Sequence, residues 1–136
     1  MILIDTGPLI GLINPRDEHH AKARADLPRL AGRPMAVSVP ILTETFFFLH
    51  SAIARRKLRA MLGELNVAVI DAPRSVIEAA IDWMVKYASH QPDFADAVTV
   101  VLSGQIGDLE VWTYDHEFRT VWRRPDGLAV PMAAKF

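Results

Sequence analysis

A chain of 136 residues, 51% apolar and 23% charged, is long enough for one hydrophobic core and too apolar for intrinsic disorder, a collagen-like repeat or a mucin-like stalk. Lys plus Arg (15) nearly balances Asp plus Glu (16), so the net charge of −1 provides no global field for nucleic acid or an anionic membrane, and any polyanion must be met by a local patch. With 0 cysteines there is no disulfide framework, thiol nucleophile or zinc ribbon.

The opening Met1-Ile2-Leu3-Ile4-Asp5 lacks a basic flank and meets a carboxylate at once, so it reads as a buried strand rather than a signal segment. No later run approaches the roughly 18 apolar residues of a membrane span, and a soluble, cytoplasmic protein without membrane association is expected. Pro8 suits a first helical turn, and Leu9, Ile10, Leu12 and Ile13 repeat at helical spacing up to Asn14-Pro15. Asp17 is predicted to cap a second helix reaching Leu30, and Arg33-Pro34 precedes a strand from Met35 to Ser38. Pro40 opens a third helix carrying Ile41, Leu42, Glu44 and Phe46-Phe47-Phe48, and the basic stretch from Arg55 to Leu65 forms a fourth.

Val67 to Ile70 is the third strand, closed by Asp71-Ala72-Pro73. Ser75 is predicted to cap a helix with Val76, Ile77, Ala80, Ile81 and Met84 on one face, and Asp93 to open another running to Gly104. Glu110 to Thr113 is the fourth strand, and an extended piece from Leu128 to Val130 is expected to close the sheet. This alternation is the pattern of βαβ units, hence an α/β fold with a parallel sheet, and no repeat or linker divides the 136 residues.

The carboxyl ends of parallel strands are where acidic side chains face a common crevice. Asp5 and Asp115 follow two strands, Asp93 and Asp96 stand three apart at a helix start, and Glu44 lies in the first turns of the helix after the second strand. Singly, each has an ordinary reading as turn former or N-cap, which suits Asp93 best and Glu44 least, because Glu44 interrupts an apolar face. Together they crowd one edge, and two carboxylates 4 Å apart repel by roughly 4 kcal/mol at an effective dielectric near 20. Protonation, an Arg or Lys, or a divalent cation must relieve this. Oxygen donors without Cys, and without His at ligand spacing, favour Mg²⁺ or Mn²⁺. Such ions acidify a bound water and brace a phosphodiester during in-line attack.

Four motifs carry a family resemblance: Ile4-Asp5-Thr6-Gly7-Pro8-Leu9, Thr43-Glu44-Thr45, Asp93-Phe94-Ala95-Asp96-Ala97 and Thr113-Tyr114-Asp115-His116-Glu117-Phe118. In order and spacing the chain resembles the PIN-domain ribonucleases, in particular the toxins of VapBC-type toxin–antitoxin modules. The resemblance implies a three-layer α/β/α fold with a central parallel sheet of about five strands. It also implies Mg²⁺- or Mn²⁺-dependent endonucleolytic hydrolysis of RNA, and a cognate antitoxin. On that footing Asp5, Asp96 and Asp115 are metal ligands, Asp93 completes the acidic shell, and Glu44 holds metal or positions the attacking water. Thr6 is placed to hydrogen-bond that water or a phosphate oxygen.

An acidic crevice repels RNA, so basic side chains must flank it. Candidates are Arg119, Arg123 and Arg124 just past Asp115, with Trp122 as a stacking face, then Arg55 and Arg56 with Lys57 and Arg59, and Lys22 with Arg24 beside His19-His20. Phe46, Phe47 and Phe48 point about 100° apart on a helix, so at least one is expected to face another helix, a second subunit in a homodimer, or the antitoxin. Two other readings are a non-cleaving PIN-like module that binds RNA or protein, and a receiver-like domain with Asp71 as phosphoacceptor.

Overall fold

The computed structural model describes residues 1–134. Four strands, β1 (Ile2–Ile4), β2 (Met35–Ser38), β3 (Ala68–Ile70) and β4 (Glu110–Trp112), form one parallel sheet in the order β3-β2-β1-β4. The helices are α1 (Thr6–Ile13), α2 (His20–Leu30), α3 (Val39–Phe46), α4 (Ala52–Glu64), α5 (Arg74–Lys86), α6 (Phe94–Gln105) and the short α7 (Glu117–Thr120). None of them is long and apolar enough to cross a membrane.

Helices cover the central strands on both faces, so Ile2, Leu3, Ile4, Ala36 and Val37 are all at 0% exposure and need no polar alternation. The apolar faces of α5 (Val76, Ala80, Trp83) and α6 (Val98, Val101, Leu102) complete that core. The chain winds outward from β1 through β2 to β3 and then crosses to the far side of β1 to lay down β4. The winding reverses between β1 and β4, and the crevice at the carboxyl ends of those two strands is where a parallel sheet leaves room for a ligand.

The sheet has four strands rather than about five. Ala129 pairs antiparallel with Arg123, and only Met132 makes a parallel bridge to Val111. Pro131, which accepts from the Val111 N–H, has no N–H of its own to extend the ladder. The start of α2 also differs. Asp17 organises a turn, accepting from the His19 N–H at 3.0 Å, and the helix begins only at His20. Ser75 lies inside the first turn of α5, behind Pro73 at the N-cap, whereas Ser51 caps α4 by accepting from the Ala54 N–H at 3.0 Å. Phe47 and Phe48 fall just past the end of α3.

Close packing of α1 on α2 depends on Gly11, where a Cβ would lie 3.1 Å from the Ala23 Cβ and 3.2 Å from the His19 carbonyl oxygen. Gly11→Val is therefore expected to overpack this contact and cost about 2 kcal/mol, read as a lower denaturant midpoint with an unchanged slope. An unchanged midpoint would show that the two helices separate without penalty.

Candidate active site

Parallel pairing of β1 with β4 sets the two acid-bearing strand ends side by side, and the Asp5 N–H donates to the Trp112 carbonyl at 2.9 Å. Thr113 then joins them through its side chain. Its hydroxyl donates to Asp5 Oδ2 at 2.7 Å and accepts from the Asp115 N–H at 3.0 Å. Asp115 in turn accepts from the Glu117 N–H at 2.9 Å through Oδ1, which fixes its orientation at the start of α7.

The remaining carboxylates come from helix starts. Asp5 and Asp93 occupy the N-cap positions of α1 and α6, yet neither side chain makes a capping hydrogen bond. An N-cap aspartate usually accepts from the first-turn N–H groups, so both groups are turned to another use. Asp96 lies in the first turn of α6, and Glu44 projects from α3 beyond the end of β2. Asp5, Thr6, Glu44, Asp93, Asp96 and Asp115 thus line one cavity of about 310 Å³, and among the described residues no Lys or Arg joins that lining.

Burial and like charge act together here. Burial raises the Asp5 carboxyl above its ordinary value, only partly opposed by the Thr113 hydrogen bond. Burial, reinforced by Asp5, Asp115, Asp93 and Glu44, lifts Asp96 to about 8. Glu44 is lifted to about 7, by burial first and then by Asp5 and Asp93. Thr6 stands near enough to Glu44 to favour its ionised form, but its buried hydroxyl completes no hydrogen bond.

Oxygen donors crowded without a neutralising cation suit a hard divalent ion. Among the described residues no three Asp, Glu or His groups converge as a ready-made ligand set. In kind, the carboxylate oxygens of the cavity are the donors a hard divalent ion takes when it completes its shell with water.

Three site neighbours have no counterpart in the sequence reading. Tyr114 lines the cavity, accepts from Trp112 Nε1 at 3.1 Å and donates to Asp26 Oδ2 at 2.8 Å. Asp26 is buried on α2 and also pairs with Lys22 at 3.1 Å. This chain ties α2 to the strand end that carries Asp115. Burial, and then the Asp26 hydrogen bond, keep the Tyr114 phenol protonated. The His19 ring packs on Tyr114 with centroids 4.9 Å apart. Asp26 carried a readable signal, since it interrupts the buried stripe Ala23, Leu27, Leu30.

The predicted basic residues scatter. Arg124 is paired with Asp126 and lines a cavity with Met1, Arg33 and Glu110 at the amino-terminal edge of the sheet, opposite the acidic pocket. Arg123 donates to the Trp122 carbonyl at 2.9 Å and does not line the acidic pocket. Trp122 is 1% exposed against Trp83 and Tyr87, so it is a core residue and offers no stacking face. Arg119 is exposed on α7. Arg55 and Arg56 are exposed on α4, with Arg55 Nε donating to the Leu49 carbonyl at 2.9 Å. Phe46, Phe47 and Phe48 all remain exposed, and Phe47 and Phe48 line an apolar cleft of about 810 Å³ with Val39, Ile77 and Phe94. That cleft shares Glu44 and Asp93 with the acidic pocket, and Asp71 lies on its wall rather than among the pocket carboxylates.

No curated protein matches the chain. Among solved structures, the fold is similar to that of the Mycobacterium tuberculosis VapC20, a sarcin-ricin loop cleaving toxin, with a TM-score of 0.74 and 23% identity over 88% of this chain and 94% of that one. The family profile of the PIN domain matches residues 2–123, which sets aside the receiver-like reading of Asp71. By that match, with the four-stranded parallel sheet and the acidic pocket at its switch point, the chain belongs to the PIN domain family.

Proposed function

We propose that this protein is a divalent-metal-dependent endoribonuclease and the toxin of a VapBC-type toxin–antitoxin pair, acting in the cytoplasm. The observation that carries the reading is a single cavity lined by Asp5, Glu44, Asp93, Asp96 and Asp115, with Asp17 and Glu18 also on its wall, and by no Lys or Arg among the described residues. Asp5, Asp96 and Asp115 are the residues that would hold Mg²⁺ or Mn²⁺, directly or through its bound waters, with Asp93 at the rim. When bound, such an ion supplies Lewis acidity and a more acidic water for attack on a phosphodiester.

The chain's own groups then have distinct tasks. Glu44, with its carboxyl lifted to about 7, is poised to take a proton from the attacking water near neutral pH. Thr6 offers a hydroxyl with no partner of its own to that water or to a phosphate oxygen. Thr113 keeps Asp5 and Asp115 at a fixed separation. Full retention of the carboxylates favours turnover over a non-cleaving RNA- or protein-binding module. The apolar cleft flanked by Phe47, Phe48 and Phe94 is the surface for the antitoxin or for a second copy of the chain, because exposed aromatic patches of this kind mark interfaces. Of the predicted cations, Arg119, Arg55 and Arg56 are exposed and would face RNA, whereas Arg124 is paired with Asp126 at the opposite edge of the sheet.

Asp5→Asn and Asp96→Asn are each expected to lower Mg²⁺-dependent cleavage of RNA by on the order of 100-fold or more, with the melting temperature in EDTA unchanged or raised. Full turnover by either purified variant would remove that residue from the mechanism.

The same crowding sets a pH dependence of stability. Asp96 and Glu44 bind protons more tightly in the folded protein than in the unfolded chain, so the folded state holds more protons across the window from about 4 to about 8. Their contribution to stability is complete below that window and is lost as pH rises through about 7 and 8. Thermal melts in EDTA should therefore shift downward between pH 5 and pH 8, and Mg²⁺, which binds the ionised carboxylates, should raise the melting temperature more at the upper pH. A melting temperature that climbs with pH in EDTA would contradict the crowding.

A further inference from the structure

We propose that the cleft at the start of α4, lined by Arg16, His50 and Lys57 and separated from the acidic pocket by Phe48, binds the RNA phosphates that flank the cleaved bond. This deepens the ribonuclease reading, on which the direction of the strand depends. The cleft has a volume of about 690 Å³, and its floor is Ile13, Leu49 and Ala54. Two walls connect it to the acidic pocket. Phe48 lines both cavities. The loop from 14 to 19 lies across both, with Asn14, Pro15 and Arg16 on the cleft and Asp17, Glu18 and His19 on the pocket.

The charge distribution is what marks the cleft as an anion site. Four cations elsewhere on the surface are matched by acids, in Lys22–Asp26, Arg33–Glu110, Arg74–Glu78 and Arg124–Asp126. Among the described residues, Arg16, Arg55, Arg56 and Lys57 have no carboxylate partner within ion-pair distance, and no acid lines the cleft. Helix α4 places Arg55, Arg56 and Lys57 in its first half and Arg59 just past its middle, with no acid in its first turn. Arg55 is fastened to the Leu49 carbonyl at the cleft wall, which orders part of the cluster in advance. Phe48, 60% exposed at the divide, presents a ring on which a base can stack as the backbone passes from one cavity to the other.

An acidic centre cannot attract a polyanion by itself, and this cleft supplies the attraction next door. A phosphodiester strand fits better than a protein segment because Arg16 and Lys57 line the cleft and Phe48 with the loop from 14 to 19 joins it to the pocket. The cleft also has polar donors, Ser51 and His50, beside its apolar floor.

The test is binding of a fluorescent single-stranded RNA in EDTA, which halts metal-dependent cleavage, over a range of salt concentrations. The double variant Arg16→Ala/Lys57→Ala should bind about tenfold more weakly, and its plot of log affinity against log salt should be shallower by about 1.4, the value for two lost phosphate contacts on a single strand. Phe48→Ala should weaken binding about tenfold with the slope unchanged. Arg74→Ala on α5, a surface cation away from the cleft, should change neither. The charge-keeping Arg16→Lys/Lys57→Arg variant should retain the slope, which separates charge from any effect on folding. An unchanged affinity and slope in the double alanine variant would overturn the inference, as would loss of binding to poly-glutamate with RNA binding intact, which would make the cleft a site for an acidic protein. Failure of the ribonuclease reading shows separately, as absence of Mg²⁺-dependent cleavage by a protein that still binds RNA with the full salt slope.

Discussion

A single hydroxyl, that of Thr113, links the two strand ends on which the site is built. It donates to Asp5 and accepts from the backbone of Asp115, and the β1–β4 pairing beneath it keeps those ends in register. Without such a brace, like charges on two short chain ends would relax apart into solvent. In the pocket it braces, burial first and then the like charge of neighbouring carboxylates raise the carboxyl groups of Asp5, Asp96 and Glu44. The surrounding core makes this tolerable, since β1 is wholly buried between helix layers and cannot shift to relieve the crowding.

The second brace comes from α2. The Trp112–Tyr114–Asp26 chain is buried and satisfied at each step, and Lys22 offsets the Asp26 charge at the surface end. A polar network of this kind, once complete, holds a single arrangement more firmly than its individual bonds would suggest. Its effect is to lock the segment between β4 and α7, so that Asp115 reaches the pocket from a fixed direction. The close approach of α1 and α2 at Gly11 belongs to the same support, because it sets the loop from 14 to 19 beside the carboxylates.

A net charge of −1 conceals a strong separation of charge. Among the described residues the pocket gathers acids with no Lys or Arg in its lining, and the neighbouring cleft carries Arg16 and Lys57 without an acid. Phe48 and a six-residue loop from 14 to 19 divide them. Field strength at a protein surface follows this local arrangement and not the sum. On the proposed ribonuclease reading the division would be useful, since a polyanion would be drawn to one side and a divalent ion to the other.

Much of this was legible along the chain. An unbroken Ile2-Leu3-Ile4 run specifies a strand covered on both faces, the helix and strand order specifies a parallel sheet, and an Asp directly after such a strand must stand at its carboxyl edge. Glu44 was conspicuous because it breaks an apolar face, and it lies in the pocket. These features depend on periodicity over a few residues, which the backbone geometry of a strand or helix converts directly into facing. What the tertiary structure decided were matters of partnership. Thr113 reaches Asp5 across 108 positions and Tyr114 reaches Asp26 across 88, Trp122 closes a core with Trp83, and Arg124 is claimed by Asp126 at the wrong end of the sheet. The final segment stops short of a fifth strand where Pro131 lacks a donor. Local pattern tells which way a side chain points, whereas what it meets there depends on how separate elements pack, and that is set by the shape of the whole core.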